Sequence, residues 1–190
     1  MAEELAAWGF EFRAEGIEKT KPTSIESAFL KGSTMINLLQ IGAPQDIASR
    51  LPKGQLIRIK LEIDLDPPAG ADTEVLTRLV PTPHQVRVYD LPSLFAGKLH
   101  AVLCRNWKSR VKGRDFYDLI WYVGRKTPLN LPHLEARMRQ SGDWPVDTPL
   151  DAEGLGKCLE QRFASTNFEQ AKEDIAPFLK DPRELSLWSP

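Results

Sequence analysis

The sequence predicts an α+β fold in which a strand-rich first part leads into an all-helical second part. Residues 55–66, QLIRIKLEIDLD, alternate apolar and charged side chains almost without a break, as a strand with one covered face does. Beyond residue 90 the apolar residues recur every three or four positions, which is typical of amphipathic helices. Strand signals that precede helix signals favour an α+β module followed by a small helical bundle. The two parts are expected at residues 1–90 and 91–190.

The first part is predicted to mix short helices with strands. Helices fit residues 3–8, 32–40 and 44–51. Strands fit residues 10–15, 25–31, 55–66, 73–80 and 85–88. Pro67, Pro68 and Gly70 end the long strand, and the last two strands are expected to continue its sheet around Pro81 and Pro83.

The second part is predicted to be helical throughout. Two helices lie within residues 94–122, and three more fit residues 131–140, 151–162 and 168–179. Residues 141–149 form a loop, and the chain from residue 182 is expected to be an irregular tail.

The segment 94–122, LFAGKLHAVLCRNWKSRVKGRDFYDLIWY, carries the charges that indicate a function. Its cations lie on the first helix and in the connector that follows: Lys98, Arg105, Lys108, Arg110, Lys112 and Arg114. Asp115 and Asp118 open the second helix. Cations gathered beside paired carboxylates suit a site for a polyphosphate and its metal ion.

Lys98 falls on the apolar side of the first helix. At about 100° per residue the apolar stripe consists of Leu91, Leu94, Phe95, Leu99, Val102 and Leu103. Lys98 lies within this stripe, Arg105 lies at its edge, and His100 points the opposite way. A cation on a buried side must snorkel, form an ion pair or line a cleft, so a merely snorkelling lysine stays open as an alternative.

The second helix is predicted to separate its core face from its acidic face. The core face consists of Phe116, Leu119, Ile120 and Val123. Asp115, Asp118 and Tyr122 share a different stripe. Capping is the alternative for the carboxylates, with Asp115 as the N-cap residue.

The charged face of the strand at 55–66 offers further candidates. Arg58 and Lys60 come first, and Glu62, Asp64 and Asp66 follow. A charged face is usually solvated. However, carboxylates at the end of a strand are also well placed to hold a divalent cation.

Composition excludes several classes of function. The 190 residues carry a formal net charge of −1, so a nucleic-acid site would have to be a local patch. No apolar run approaches the length of a membrane span, and the first residues do not resemble a signal peptide. The two cysteines, Cys104 and Cys158, match no zinc spacing, and a reducing cytoplasm is the expected location.

The chain resembles the AbiEii/AbiGii group of nucleotidyltransferase-like toxins, the toxin halves of abortive-infection toxin–antitoxin pairs. The resemblance spans roughly residues 7–122 and rests on LFAGKLHAVLCR, KGRDFYDLIWY, KLEIDLDPP and SAFLKGSTMINLLQI. It implies a polymerase-beta-like nucleotidyltransferase sheet, here partial, followed by a helical C-terminal bundle. It also implies transfer of a nucleotide from a nucleoside triphosphate with Mg²⁺.

The resemblance also implies roles for individual residues. Lys98, Asp115 and Asp118 correspond to catalytic motif positions. Glu62 and Asp64 are the expected metal ligands. The residues expected to bind the nucleotide phosphates are Lys60, Lys98, Arg105, Lys112 and Arg114.

The chain departs from the family at its first motif, a Gly-Ser turn followed shortly by Asp-x-Asp. Gly32-Ser33 and Asp64-Leu65-Asp66 lie too far apart to replace it. The chain is therefore expected to be a family member without its first segment, which binds nucleotide but is inactive alone. Missing first strands would expose a sheet edge through which two copies could pair.

Two other functions remain open. The chain could be an active Mg²⁺-dependent nucleotidyltransferase toxin that modifies RNA or protein. Alternatively, it could be a non-enzymatic domain that binds RNA or a cognate antitoxin, with the basic connector and Trp107 contacting a phosphate backbone.

Overall fold

The computed structural model describes residues 2–7, 12–16, 25–33, 52, 54–80, 82–107 and 110–188, which belong to two units, Met1–Pro67 and Pro68–Pro190. The elements are α1 (Ala2–Ala7), β1 (Arg13–Gly16), β2 (Ile25–Ser33), β3 (Leu56–Asp64), β4 (Thr73–Arg78), β5 (His84–Tyr89), α2 (Leu91–Cys104), α3 (Gly113–Gly124), α4 (Leu131–Ser141), α5 (Ala152–Ser165) and α6 (Phe168–Ile175). The predicted α+β class with a helical C-terminal part is confirmed. The predicted division after residue 90 falls within the second unit and stays a prediction.

The first unit contains an antiparallel sheet with the strand order β1-β2-β3. The central strand β2 pairs with β3 from Ile25 opposite Asp64 to Ser33 opposite Leu56. The predicted helix at 32–40 is wrong where the structure describes it, because Gly32 and Ser33 end β2. The remainder of that helix and the helix predicted at 44–51 lie outside the described residues.

The apolar face of β3 is less covered than its alternating sequence suggests. Ile57 and Leu61 are partly buried, whereas Ile59 and Ile63 are 43% and 62% exposed. Alternation determines which side chains share a face of a strand, but it does not determine what packs against that face.

The second unit begins with a separate sheet. Within the described residues, strands β4 and β5 pair only with each other, from Thr73 opposite Tyr89 to Arg78 opposite His84. The expectation that these strands continue the first sheet is therefore wrong. The sequence signals predict strands correctly, but hydrogen bonding to a particular neighbour leaves no local signal.

Five helices follow the hairpin, and side-chain caps fix where four of them begin. The carboxylate of Asp90 accepts the backbone N–H of Ser93 at the start of α2. Asn130, Asp151 and Asn167 cap α4, α5 and α6 in the same way. These side chains satisfy backbone donors that a helix N-terminus leaves unpaired. The tail expected to be irregular contains a 3₁₀ helix, Pro182–Leu187, and a shorter one, Ala176–Phe178, follows α6.

The hydrophobic core lies among these helices. Its buried residues are Phe95, Ala96, Leu99, Val102, Val111, Phe116, Tyr122, Leu134, Met138, Leu150, Ala171, Ile175, Leu185 and Trp188. The rings of Phe95 on α2 and Tyr122 on α3 stack with centroids 4.9 Å apart and planes 6° from parallel. Burial of these side chains supplies most of the driving force for folding.

Helix α3 buries a different face from the one predicted. Ile120 and Val123 are 50% and 59% exposed, whereas Asp115 and Tyr122 are buried together with Phe116. The stripe of Asp115, Asp118 and Tyr122 was expected to be separate from the core face, but it faces α2. Helix α3 therefore contacts α2 through its acidic side.

Asn130 attaches the turn before β4 to the helices. Its side-chain oxygen caps α4 through the N–H of His133, and its Nδ2 donates to the Gly70 carbonyl at 2.9 Å and to Ser93 Oγ at 3.0 Å. The fully buried imidazole of His133 contacts the Ala69 carbonyl at 2.8 Å. One side chain therefore joins a turn and two helices.

Replacing Asn130 with alanine is expected to lower the free energy of unfolding by about 2 kcal/mol, because a cap and the further hydrogen bonds of the amide group are lost. Urea denaturation followed by circular dichroism measures the change. Asn167→Ala is the matched control, since Asn167 caps α6 through Gln170 alone and should cost only about 1 kcal/mol. Equal losses for the two variants would contradict this account.

Candidate functional site

Two ion pairs join α2 to α3. Lys98 Nζ donates to Asp118 Oδ2 at 2.6 Å, and Arg105 Nη1 donates to Asp115 Oδ2 at 2.5 Å. The Asp115 side chain is 12% exposed, whereas the side chains of Lys98 and Asp118 are 48% and 34% exposed. The Asp115 carboxylate is thus the most shielded group of the two pairs, whereas Arg105 is exposed.

The ion pairs decide between the alternatives that the sequence leaves open. Lys98 lies at the margin of the helix contact and is ion-paired, so it is not a solitary snorkelling lysine. Leu91 and Leu94, which were expected to share its buried stripe, are both exposed. Capping by Asp115 is wrong, because Lys112 occupies the N-cap position of α3 and Asp115 lies three residues later.

The predicted cations and carboxylates of α2 and α3 line one cleft of about 380 Å³. Six of its lining residues are charged: Lys98, Arg105, Lys112, Arg114, Asp115 and Asp118. Ile175, Phe178 and Leu179 form its apolar side. Four cations against two carboxylates leave the charged lining with a net charge of +2, so the cleft attracts anions. Lys108 of the predicted connector lies outside the described residues.

Among the cations that line the cleft, Lys112 and Arg114 are the most available to bind a ligand. Both are exposed, and neither has a carboxylate partner among the described residues. The Arg114 guanidinium lies over the Phe178 ring, 5.3 Å from its centroid. Both residues stand at the beginning of α3, where the helix dipole also favours negative charge.

Asp174 on α6 fixes the start of α3. Its side chain is 2% exposed, forms an ion pair with Arg110 and accepts the Gly113 N–H at 3.0 Å. Arg110 itself is exposed and does not line the cleft of Lys98. Sequence analysis does not identify Asp174, because it lies 61 residues from Gly113 and looks like an ordinary surface acid of an amphipathic helix.

Arg162 on α5 fixes the end of α2 and is also missed by sequence analysis. It donates to the carbonyl oxygens of Val102 at 2.6 Å and Arg105 at 2.5 Å. Its guanidinium covers the Trp107 ring, 3.8 Å from the centroid. One face of Trp107 is therefore occupied, and the ring packs on Phe116 in the core. This arrangement does not favour Trp107 as a stacking surface for a nucleic-acid base.

A second cleft, of about 430 Å³, adjoins the first along α2. It shares Lys98, Arg105 and Asp115 with the first cleft and adds His100 and Cys104. His100 was expected to point away from the functional side of α2, but it is half-buried in this cleft. Burial lowers the pKa of the His100 imidazole, and the Arg137 guanidinium lowers it further.

The predicted strand residues belong to the first unit. Lys60 Nζ donates to Glu62 Oε1 at 2.6 Å, and Asp64 Oδ1 accepts the Asp66 N–H at 3.1 Å. Within the described part of the chain, the group of ligands that could hold a metal ion contains neither these acids nor Asp115 and Asp118. The roles expected for Lys60, Glu62 and Asp64 stay predictions.

Membrane insertion and disulfide bonding find no support in the described residues. None of the helices there is both long enough and apolar enough to cross a bilayer. Cys104 and Cys158 are free thiols. Burial raises the pKa of each, that of Cys104 to about 12 with a further contribution from Asp143. Both thiols are therefore protonated near neutral pH.

Comparison with known proteins identifies a matching family. The family model described as "Nucleotidyl transferase AbiEii toxin, Type IV TA system" matches residues 1–188. No curated protein matches the chain significantly.

Proposed function

Because the chain belongs to the AbiEii family of nucleotidyl transferase toxins of type IV toxin–antitoxin systems, we propose that the cleft between α2 and α3 binds the phosphates of a nucleoside triphosphate. We propose further that this chain alone does not transfer a nucleotide. The family implies a nucleotide substrate, an antitoxin partner and, in general terms, a divalent metal ion.

The observation that carries the proposal is the convergence of Lys98, Arg105, Lys112 and Arg114 on one cleft. Phosphate groups are bound most effectively by cations combined with the N-terminus of a helix, and α3 begins at this cleft. Arg105 offers a planar guanidinium for bidentate contact, whereas Lys98 acts as a point charge. The apolar residues Phe178 and Leu179 offer a surface for the base or ribose.

Asp115 and Asp118 are proposed to hold the phosphate-binding cations in position. Each contacts one cation of α2, so the ammonium of Lys98 and the guanidinium of Arg105 are oriented before a ligand arrives. Such preorganisation reduces the cost of ordering long side chains on binding. The catalytic role that the resemblance gives these acids stays a prediction.

One expected metal ligand and both expected catalytic acids are engaged by cations. Magnesium requires carboxylate oxygens that are free to coordinate it. Asp115, Asp118 and Glu62 each contact a cation instead, at distances between 2.5 and 2.6 Å. Together with the absence of a correctly spaced Asp-x-Asp motif in the sequence, this supports a nucleotide-binding chain that is inactive alone.

Thermal unfolding of the purified chain with and without each nucleoside triphosphate tests phosphate binding. We expect the Tm to rise by about 5 °C or more at a ligand concentration about 100 times the Kd. Tripolyphosphate should reproduce most of the rise and adenosine very little, because the cations contact phosphate. An unchanged Tm with every triphosphate would contradict the proposal.

Incubation with labelled triphosphates and Mg²⁺ tests the proposed inactivity. We expect no label on RNA or on the protein itself. Transfer of label would instead support the active-toxin alternative. Binding of RNA or of an antitoxin, with no change of Tm on addition of a triphosphate, would favour the non-enzymatic alternative. The cytoplasmic location and the pairing of two copies stay predictions.

A further inference from the structure

A cluster of three potential metal ligands lies in the second cleft. His100, Cys104 and Asp143 each offer one ligand atom, and these atoms lie within 4.8 Å of one another. His100 and Cys104 are one turn apart on α2, so both project from the same side of the helix. Asp143 comes from the loop that follows α4.

We propose that His100, Cys104 and Asp143 form a binding site for a zinc-class transition metal ion. In a tetrahedral zinc site, bond lengths of about 2.0–2.3 Å place the ligand atoms roughly 3.3–3.8 Å apart. Side-chain movements of about 1 Å therefore close the present cluster to that geometry. Three protein ligands leave a fourth position, which faces the 430 Å³ cleft.

The ligand types select the metal. Thiolate and imidazole ligands favour Zn²⁺ and related ions, whereas Mg²⁺ prefers sites made only of oxygen atoms. The site therefore differs in chemistry from the magnesium site that nucleotidyl transfer would use. It rests on none of the residues proposed above to bind phosphate.

The loop after α4 holds the third ligand in place. Gly142 ends the helix with φ +80°, a conformation that glycine adopts without strain, and the Asp143 N–H donates to the Met138 carbonyl at 2.8 Å. Ser141 Oγ donates to Asp143 Oδ2 at 2.5 Å and lies 3.0 Å from His100 Nε2. This hydroxyl therefore links two of the proposed ligands and orients both, as supporting groups around metal sites do.

The charge of the cluster is compatible with a dication. The Cys104 thiol hydrogen-bonds to Asp143, and its proton would be released as the metal binds. One thiolate and one carboxylate would neutralise Zn²⁺, so the bound ion adds no net charge beside Arg105 and Arg137.

Cobalt titration of the metal-free full chain tests the proposal, because Co²⁺ reports directly on thiolate coordination. We expect a thiolate-to-cobalt charge-transfer band that saturates at one equivalent and disappears when Zn²⁺ is added. Cys104→Ser should abolish the band, while the other cysteine variant, Cys158→Ser, should retain it. No band in the parent chain, or a band lost in Cys158→Ser and kept in Cys104→Ser, would overturn the proposal.

Zinc affinity gives a second readout that does not depend on the cysteine variants. His100→Gln and Asp143→Asn should each weaken Zn²⁺ binding at least about tenfold, since changes to groups that only support metal ligands already cost 10–100-fold. His84→Gln, on the exposed strand β5, is the matched control and should leave the affinity unchanged. Unchanged affinity in both ligand variants would rule out this site.

Discussion

Gly113→Ala is expected to destabilise the second unit by about 3 kcal/mol or more. A Cβ atom at this position would lie 1.9 Å from the Ala171 carbonyl oxygen and 2.9 Å from its carbon. Those atoms belong to the backbone of α6, so relief requires a whole helix to move. Overpacking a core typically costs about 1–3 kcal/mol, and a backbone clash belongs at the upper end of that range or above it.

The clash should also remove a buried hydrogen bond. As α3 separates from α6, the Gly113 N–H loses the Asp174 carboxylate, which is then buried with fewer partners. Urea denaturation measures the loss, and the Tm should fall by at least about 6 °C.

Gly124→Ala is the matched control for this substitution. Gly124 is the last residue of α3, and a Cβ there meets nothing within 4 Å. Alanine has the higher helix propensity, so stability should stay the same or rise by up to about 1 kcal/mol. Equal effects of the two glycine variants would contradict the close helix contact at Gly113.

Lys98→Ala is expected to weaken triphosphate binding by about 10- to 100-fold, because a charge-assisted hydrogen bond contributes about 1.5–3 kcal/mol. The Asp118 carboxylate would then face the phosphates without its partner and repel them. Stability should fall by at most about 1 kcal/mol, since the ion pair is half-exposed. Titration calorimetry measures the affinity, and urea denaturation measures the stability.

Two further variants separate phosphate binding from a general charge effect. Lys157→Ala removes one positive charge and one ion pair, with Glu153, from the surface of α5 and should leave affinity unchanged. Asp118→Asn removes the carboxylate that positions Lys98 and should weaken binding by up to about fivefold. Tighter binding in Asp118→Asn would instead indicate that Asp118 only competes with phosphate for Lys98, contrary to the positioning role proposed here.

Local patterns predicted the elements and much of the cleft. Lys98, Arg105, Asp115 and Asp118 lie close together in sequence on two neighbouring helices, so helical periodicity and a short connector were sufficient to suggest one cleft. Helical periodicity also separated the acidic stripe of α3 from its apolar stripe. It could not indicate that the acidic stripe faces α2 while Ile120 and Val123 remain exposed.

Partners distant in the chain were not predictable in this way. Along the sequence, Asp174 and Arg162 are separated from their partners by about half the length of the second unit. The helices that carry them give no sign of which chain segment they contact. The β4–β5 hairpin was identified as two strands but assigned to the wrong sheet for the same reason. The cluster of His100, Cys104 and Asp143 was not predictable either, because it forms only where the loop after α4 returns to α2.

Lys98, Arg105 and Asp115 line both clefts and so form a common partition between them. A guanidinium drawn toward an anion on one side of this partition is withdrawn from the other side. A phosphate in the first cavity would attract this side chain, and a dication in the second would repel it. By thermodynamic reciprocity, each would alter the affinity of the other by an equal factor.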